Sequence, residues 1–253
     1  MFSLEIDCDP DDRDLIIADL WELDVAGVVE LSPSRLRAFF EEGAGREALQ
    51  RRFPWAGLRE EEARDWVQSA RDLLQPMPVG RHFFLVPEWS DDPAPPGRYR
   101  ISVNPGLAFG TGVHPTTKLC IEALEDYRRP GMAVLDVGTG SGILAQVARL
   151  LATGDVHACD IDPVAVTIAG SGFVGSADAV KDHSMELVVA NISPSAIVQL
   201  AADLQRVLRP GGVILASGFE RHEVEEVQKA LPPAREVRYK DGWALIVAPK
   251  SES

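Results

Sequence analysis

Val134-Leu135-Asp136-Val137-Gly138-Thr139-Gly140-Ser141-Gly142 is the stretch that decides the fold. A mostly apolar run breaks into glycines at every second position. Such a pattern reads as a buried parallel strand turning sharply into a helix. Gly138, Gly140 and Gly142 lack the side chains that would keep a ligand away from the backbone. About twenty positions on, Asp160 closes the next strand pattern, Val156-His157-Ala158-Cys159, where a carboxylate can accept hydrogen bonds from ribose hydroxyls. Together these features predict a pocket for an adenosine-containing ligand. The spacing is G-x-G-x-G and not the G-x-G-x-x-G of dinucleotide sites. It favours S-adenosylmethionine, which has no pyrophosphate to cradle, over NAD.

Outward from this stretch the pattern is strand and helix in alternation. Ala133–Val137, 156–159, 173–174, 186–190 and 213–216 read as five strands, with helices over 143–151, after Pro163, over 197–207 and over 222–230. Two last strands, 236–239 and 243–247, flank the turn Lys240-Asp241-Gly242. The expected product is an α/β domain on a mostly parallel, seven-stranded sheet with one antiparallel strand. Ahead of it, Phe83–Val86 and Tyr99–Val103 read as strands joined by the proline-rich, exposed loop 91–97.

The N-terminal part has a different rhythm. Phe2, Leu4, Ile6 and Cys8 alternate with polar residues, as in a half-buried strand. Asp9–Asp12 offers helix caps, and 27–31 and 35–40 form a hairpin around Ser32-Pro33-Ser34. A helix over 47–53 and a strand near Leu58 complete β-α-β-β-α-β, a small α+β ferredoxin-like unit. The expected division is 1–58 for this unit, 59–75 for a charged linker helix with Trp66 on its apolar side, and 76–253 for the α/β domain.

The chain has 253 residues, 39 of them acidic and 25 basic, for a formal charge of −14. That balance predicts no direct binding to nucleic acid and is compatible with a basic macromolecule as partner. The three cysteines are isolated, with no C-x-x-C pair, so neither a disulfide framework nor a thiolate metal site is expected. The first residues lack the basic and apolar regions of a signal peptide, and no apolar run approaches the ~20 residues of a membrane span. A cytoplasmic monomer without membrane attachment is the expectation.

In open α/β sheets ligands bind at the carboxyl ends of the strands. Three segments should meet there: the glycine loop 138–142, Asp160, and Ala190-Asn191-Ile192-Ser193-Pro194 after the fourth strand. Asn191 can offer carbonyl oxygens to an N–H of an acceptor amine or can cap a helix. Asp136 reads as a partner for the loop's N–H groups, His157 as a packing residue, and His183 and His222 as bland. A fourth segment, 104–117, sets three glycines around Phe109 and reads as a mobile flap able to cover a ligand. Thr116 and Thr117 are candidate caps for a helix over 119–127.

The strings G-L-A-F-G-T-G-V-H-P-T-T (106–117), D-V-G-T-G-S-G-I-L-A (136–145), D-I-D-P (160–163) and V-V-A-N-I (188–192) resemble the bacterial ribosomal protein L11 methyltransferase family, PrmA. The resemblance spans nearly the whole chain and extends to Asp65-Trp66-Val67, Pro87-Glu88-Trp89 and Gly242-Trp243. It implies a class I, Rossmann-like methyltransferase fold and methylation of lysine or N-terminal amines of a ribosomal protein. It also implies that the N-terminal domain grips that protein while a flexible linker reorients the catalytic domain. At matching positions it places cofactor contacts on Thr117, Gly138, Asp160 and Asn191, with Gly140 in the same loop.

In one place the chain departs from the family. Only 22 residues, 163–184, separate Asp162 from Met185, where a helix, strand and two connections ordinarily take roughly 30. Gly170-Ser171-Gly172 ends the helix early, and Asp178 or Ala177 would have to hold adenine. A shallower adenine pocket and weaker cofactor affinity are the expectation. The stretch Ile192-Ser193-Pro194-Ser195 also differs from the family's more apolar sequence. Two alternatives stay open: a methyltransferase with another protein or small-molecule acceptor, and a weakly active or non-catalytic binding protein.

Overall fold

The computed structural model describes residues 2–9, 12–23, 25–32, 34–41, 45–60, 75–103, 112, 114–151 and 153–250. The chain divides into two compact units, Met1–Leu74 and Gln75–Ser253.

In the first unit, β1 (Phe2–Asp7), α1 (Arg13–Glu22), β2 (Gly27–Ser32), β3 (Arg35–Phe40), α2 (Arg46–Arg52) and β4 (Gly57–Glu60) follow in order. The sheet order β2-β3-β1-β4 is the ferredoxin-like arrangement. Phe2, Leu4 and Ile6 of β1 and Leu36, Ala38 and Phe40 of β3 pack with Leu20 and Leu49 from the helices and with Phe53 just after α2. The opposite face of β1 and β3 carries charges: Glu5 pairs with Arg37 and Arg59, and Asp7 with Arg35. The Arg37 hydrogen bond holds the Glu5 carboxyl below the usual carboxylate range. Asp12 stands at the N-cap of α1 but makes no side-chain cap. β4 runs through Glu60, so residues 59 and 60 are strand and not linker helix; the rest of that expectation, 61–74 with Trp66, lies outside the described residues.

The second unit opens with a three-stranded sheet in the order β5-β6-β7: β5 (Met77–Val79), β6 (Phe83–Pro87) and β7 (Tyr99–Val103). β5 is not among the strands expected from the sequence, because its three residues are too few to show a period. The turn after β5 is pinned from helix α3 (Pro115–Tyr127), whose buried Glu125 carboxylate accepts from the N–H groups of Arg81 and His82 at 2.7–2.9 Å.

The remaining elements are β8 (Val134–Val137), α4 (Ile143–Leu150), β9 (Val156–Asp160), α5 (Pro163–Ala169), β10 (Phe173–Val174), β11 (Met185–Asn191), α6 (Pro194–Val207), β12 (Leu208–Glu220), α7 (Val224–Ala230), β13 (Glu236–Lys240) and β14 (Trp243–Pro249). They build the expected seven-stranded sheet in the order β10-β9-β8-β11-β12-β14-β13. β14 runs antiparallel to both its neighbours and the other pairs are parallel. Leu187, Val188, Val189 and Ala190 are all buried, because helices cover both faces. Val188 and Ala190 pack with Ile197, Ala201 and Leu204 of α6. By strand alternation, Leu187, Val189 and Asn191 face the other side.

Arg209–Gly212 lie inside β12 as an excursion from the ladder: Met185 pairs with Leu208 and Leu187 already with Val213. His157 is exposed on β9, so it is not the packing residue expected. Cys120 and Cys159 are buried and Cys8 is partly so.

Candidate active site

The glycine loop sits where β8 ends. Gly138, Gly140 and Gly142 all have positive φ, +70°, +51° and +78°. A Cβ on Gly138 would also lie 2.2 Å from Cγ2 of Ile192. Four of the five N–H groups of residues 138–142 are engaged within the protein. Those of Gly138 and Thr139 donate to the Cys159 carbonyl at 2.9 and 3.0 Å, and that of Gly142 to the Thr139 carbonyl at 2.8 Å. That of Gly140 donates to Oδ2 of Asp160 at 2.9 Å. Such a loop is an open, side-chain-free wall and not a nest of free donors. It suits a ligand without phosphates, as its spacing predicted.

Asp160 is held from two sides, since its Oδ1 also accepts from the Asp162 N–H at 3.0 Å. Each carboxylate oxygen keeps a further lone pair for a hydroxyl. Asp136 plays a different part from the one expected. Its Oδ2 accepts from the Thr139 hydroxyl at 2.8 Å and from the Ala145 N–H in α4 at 3.0 Å. The side chain is fully buried and Oδ1 has no protein partner. Burial pushes its pKa up to about 6, against the lowering effect of the Thr139 bond.

Across the loop stands Asn191, the last residue of β11, with Thr117 opposite. Asn191 Nδ2 donates to Thr117 Oγ1 at 3.4 Å, and Asn191 Oδ1 is buried without a protein partner. Thr117 lies within the first turn of α3 because the helix starts at Pro115, earlier than predicted. The cap is His114, not either threonine: its ring nitrogen Nδ1 stands 2.8 Å from the Thr116 hydroxyl, and the ring packs edge-on against Trp243 at 4.5 Å. Asn191 is not the cap of α6, since Ser193 fills that position.

Of the flap, 104–111 and 113 lie outside the described residues, Phe109 among them. Within it Gly112 is described: a Cβ there would meet Leu85 of β6 at 2.4 Å and Ile143 of α4 at 2.8 Å.

A model of the ribosomal protein L11 methyltransferase (PrmA) family matches residues 45–251. The chain belongs to that family. The family member from Symbiobacterium thermophilum is 38% identical over 261 residues, covering 96% of this chain and 84% of the relative. That from Ralstonia nicotianae is 40% identical over 201 residues, covering 75% and 67%. The crystal structure of the ribosomal protein L11 methylase from Lactobacillus delbrueckii subsp. bulgaricus matches with a TM-score of 0.65 at 30% identity, over 70% of this chain and all of that one. The fold is thus the class I S-adenosylmethionine-dependent methyltransferase fold.

The crossover 163–184 is built from short pieces. α5 has seven residues and stops at Gly170, φ +66°. β10 has two residues, and no helix longer than a three-residue 3-10 turn follows before β11. Arg206 of α6 ties them down, donating to the carbonyls of Ala177, Asp178 and Val180 at 2.9–3.2 Å. Ala177 is buried in the core, so of the two residues expected to face adenine only Asp178 is exposed. Ile161, Val164 and Val174 are exposed at the same end. The role of Arg206 is not legible in the sequence, because no period or motif marks a residue whose partner is a distant backbone.

Proposed function

We propose that this chain is an S-adenosylmethionine-dependent N-methyltransferase whose acceptors are lysine or N-terminal amines of ribosomal protein L11. The observation that carries the reading is the buried, unpartnered Oδ1 of Asn191, set beside Thr117 and one residue before the Ile192 that rests on the glycine loop. Gly138 and Gly140 form the wall against the ligand, Asp160 takes the ribose hydroxyls, and Thr117 stands behind Asn191. S-adenosylmethionine, when bound, supplies a methyl group activated by its sulfonium.

The chain's own task is to present an amine. A free lysine near pKa 10.4 is deprotonated only about four times in ten thousand at neutral pH. Desolvation and orientation therefore matter more than a strong base. The Asn191 carboxamide accepts one N–H of the amine and leaves the lone pair directed away from itself. Thr117, bonded to Nδ2, holds the carboxamide in that sense.

In the same reading the ferredoxin-like unit grips the protein substrate, and the enzyme works as a cytoplasmic monomer that makes no direct contact with nucleic acid. Among the described residues no helix is long and apolar enough to cross a membrane, and no cluster of metal-binding side chains occurs. The test is incubation with labelled S-adenosylmethionine and ribosomes from a methylation-deficient strain, followed by mass spectrometry. Label on amines of L11 is expected. Label on another protein, or cofactor binding without transfer, would overturn the reading.

A further inference from the structure

β12 carries one residue too many. Ser217 pairs with Leu245 and Phe219 with Ala244, so Gly218 bulges from the ladder. Its φ is +102°, a region that L side chains rarely adopt. A Cβ there would stand 2.1 Å from the Ile192 oxygen, 2.7 Å from its carbonyl carbon and 2.8 Å from its nitrogen. The peptide that leaves the Asn191 strand therefore lies directly on the bulge. Its N–H donates to the Ser217 carbonyl at 3.1 Å, and Ser217 is itself buried, its hydroxyl donating to the Ala244 carbonyl at 2.7 Å. On the other side the Ile192 side chain presses on Gly138.

We infer that Gly218 and Gly138 form a two-sided slot for Ile192, and that Gly218 is a positioning residue for the acceptor amine. The bulge sets the height at which the chain turns after β11, and with it the place of the Asn191 carboxamide. Bulges beside active sites commonly aim a side chain in this way. The two sides of the slot differ in kind. Gly138 accommodates a side-chain methyl, which substitution can remove. Gly218 accommodates a peptide group, which no substitution at 192 can remove. The inference rests on the methyltransferase reading above.

The experiment compares wild type, Gly218→Ala, Gly138→Ala, Ile192→Ala and the two double variants. Cofactor binding is measured by calorimetry, and kcat and KM with L11 as acceptor. A displacement of the carboxamide by about 1 Å costs Gly218→Ala roughly 100-fold in kcat, while its cofactor affinity stays within about threefold. Ile192→Ala is expected to relieve Gly138→Ala and to leave Gly218→Ala as slow as before. A Gly218→Ala enzyme with kcat near wild type overturns the inference, and so does its relief by Ile192→Ala. If Gly218→Ala yields no folded protein, Ile192→Gly decides. Freeing the clamped peptide should lower kcat more than it weakens cofactor binding, and the reverse split overturns the slot. A wild-type protein that binds cofactor but transfers nothing to L11 instead overturns the methyltransferase reading.

Discussion

Replacing Asp136 with asparagine should remove a pH dependence that the fold carries in its core. The carboxyl is fully buried, and its pKa is raised from 3.8 to about 6, with burial as the largest cause. A folded-state value above the unfolded one means that the native protein binds the proton more tightly. The corresponding stability is fully present below about pH 4 and is lost as the pH rises through about 6. At about 1.4 kcal/mol per tenfold change in proton affinity, the loss is on the order of 3 kcal/mol. Asparagine keeps an oxygen acceptor for Thr139 and the Ala145 N–H but cannot ionise. A buried amide donor at the Oδ1 position costs about 1–3 kcal/mol, and that cost does not vary with pH. Urea unfolding of both proteins at intervals from pH 4 to 8 is the assay. The difference in stability should move toward the variant by on the order of 3 kcal/mol between pH 4 and 7 and then level off. Parallel pH profiles would refute the reasoning, because they would place the proton affinity of Asp136 at its ordinary value.

Three further outcomes follow from the site and its surroundings. Asp160→Ala removes an acceptor for ribose hydroxyls and the tie to the Gly140 N–H; loss of about 3 kcal/mol, roughly 100-fold in Kd by calorimetry, is expected from charge-assisted hydrogen bonds. Asn191→Ala should slow methyl transfer by about 100-fold with a smaller effect on cofactor Kd, and the opposite ranking would remove Asn191 from the presenting role. Arg206→Ala takes one donor from each of the carbonyls of Ala177, Asp178 and Val180, and Ala177 keeps only the Val180 N–H; a loss of about 2 kcal/mol in urea unfolding is expected, and an unchanged midpoint would show that the short crossover stands without it.

Much of the site was readable because its signals are local. Three glycines at alternate positions after an apolar run announce a strand-to-loop turn, and Asp160 follows at the distance of one helix and one strand. The ferredoxin-like unit was readable for the same reason, since alternation in β1 and β3 shows directly which side of each strand is apolar. What escaped depends on partners far along the chain. The three-residue β5 is defined by pairing with β6 and by Glu125, more than forty residues away. The capping of α3 was misassigned because two threonines and a histidine all lie at its start, and only the packing of His114 on Trp243 selects among them.

The sequence by itself determined the class of ligand, the order of the elements and the family, because backbone freedom at glycine and the period of apolar residues act within a few positions. Only the tertiary structure decided how those parts serve the chemistry. It turned four of the loop's N–H groups inward, toward Cys159, Thr139 and Asp160, away from any phosphate. It set Asn191 opposite Thr117, a contact across 74 positions, and left one buried oxygen without a partner. It also placed Gly218 of β12 beneath the turn after β11. These facts depend on strand register and on the close approach of backbones, and a one-residue slip would change every one of them while leaving the local pattern intact.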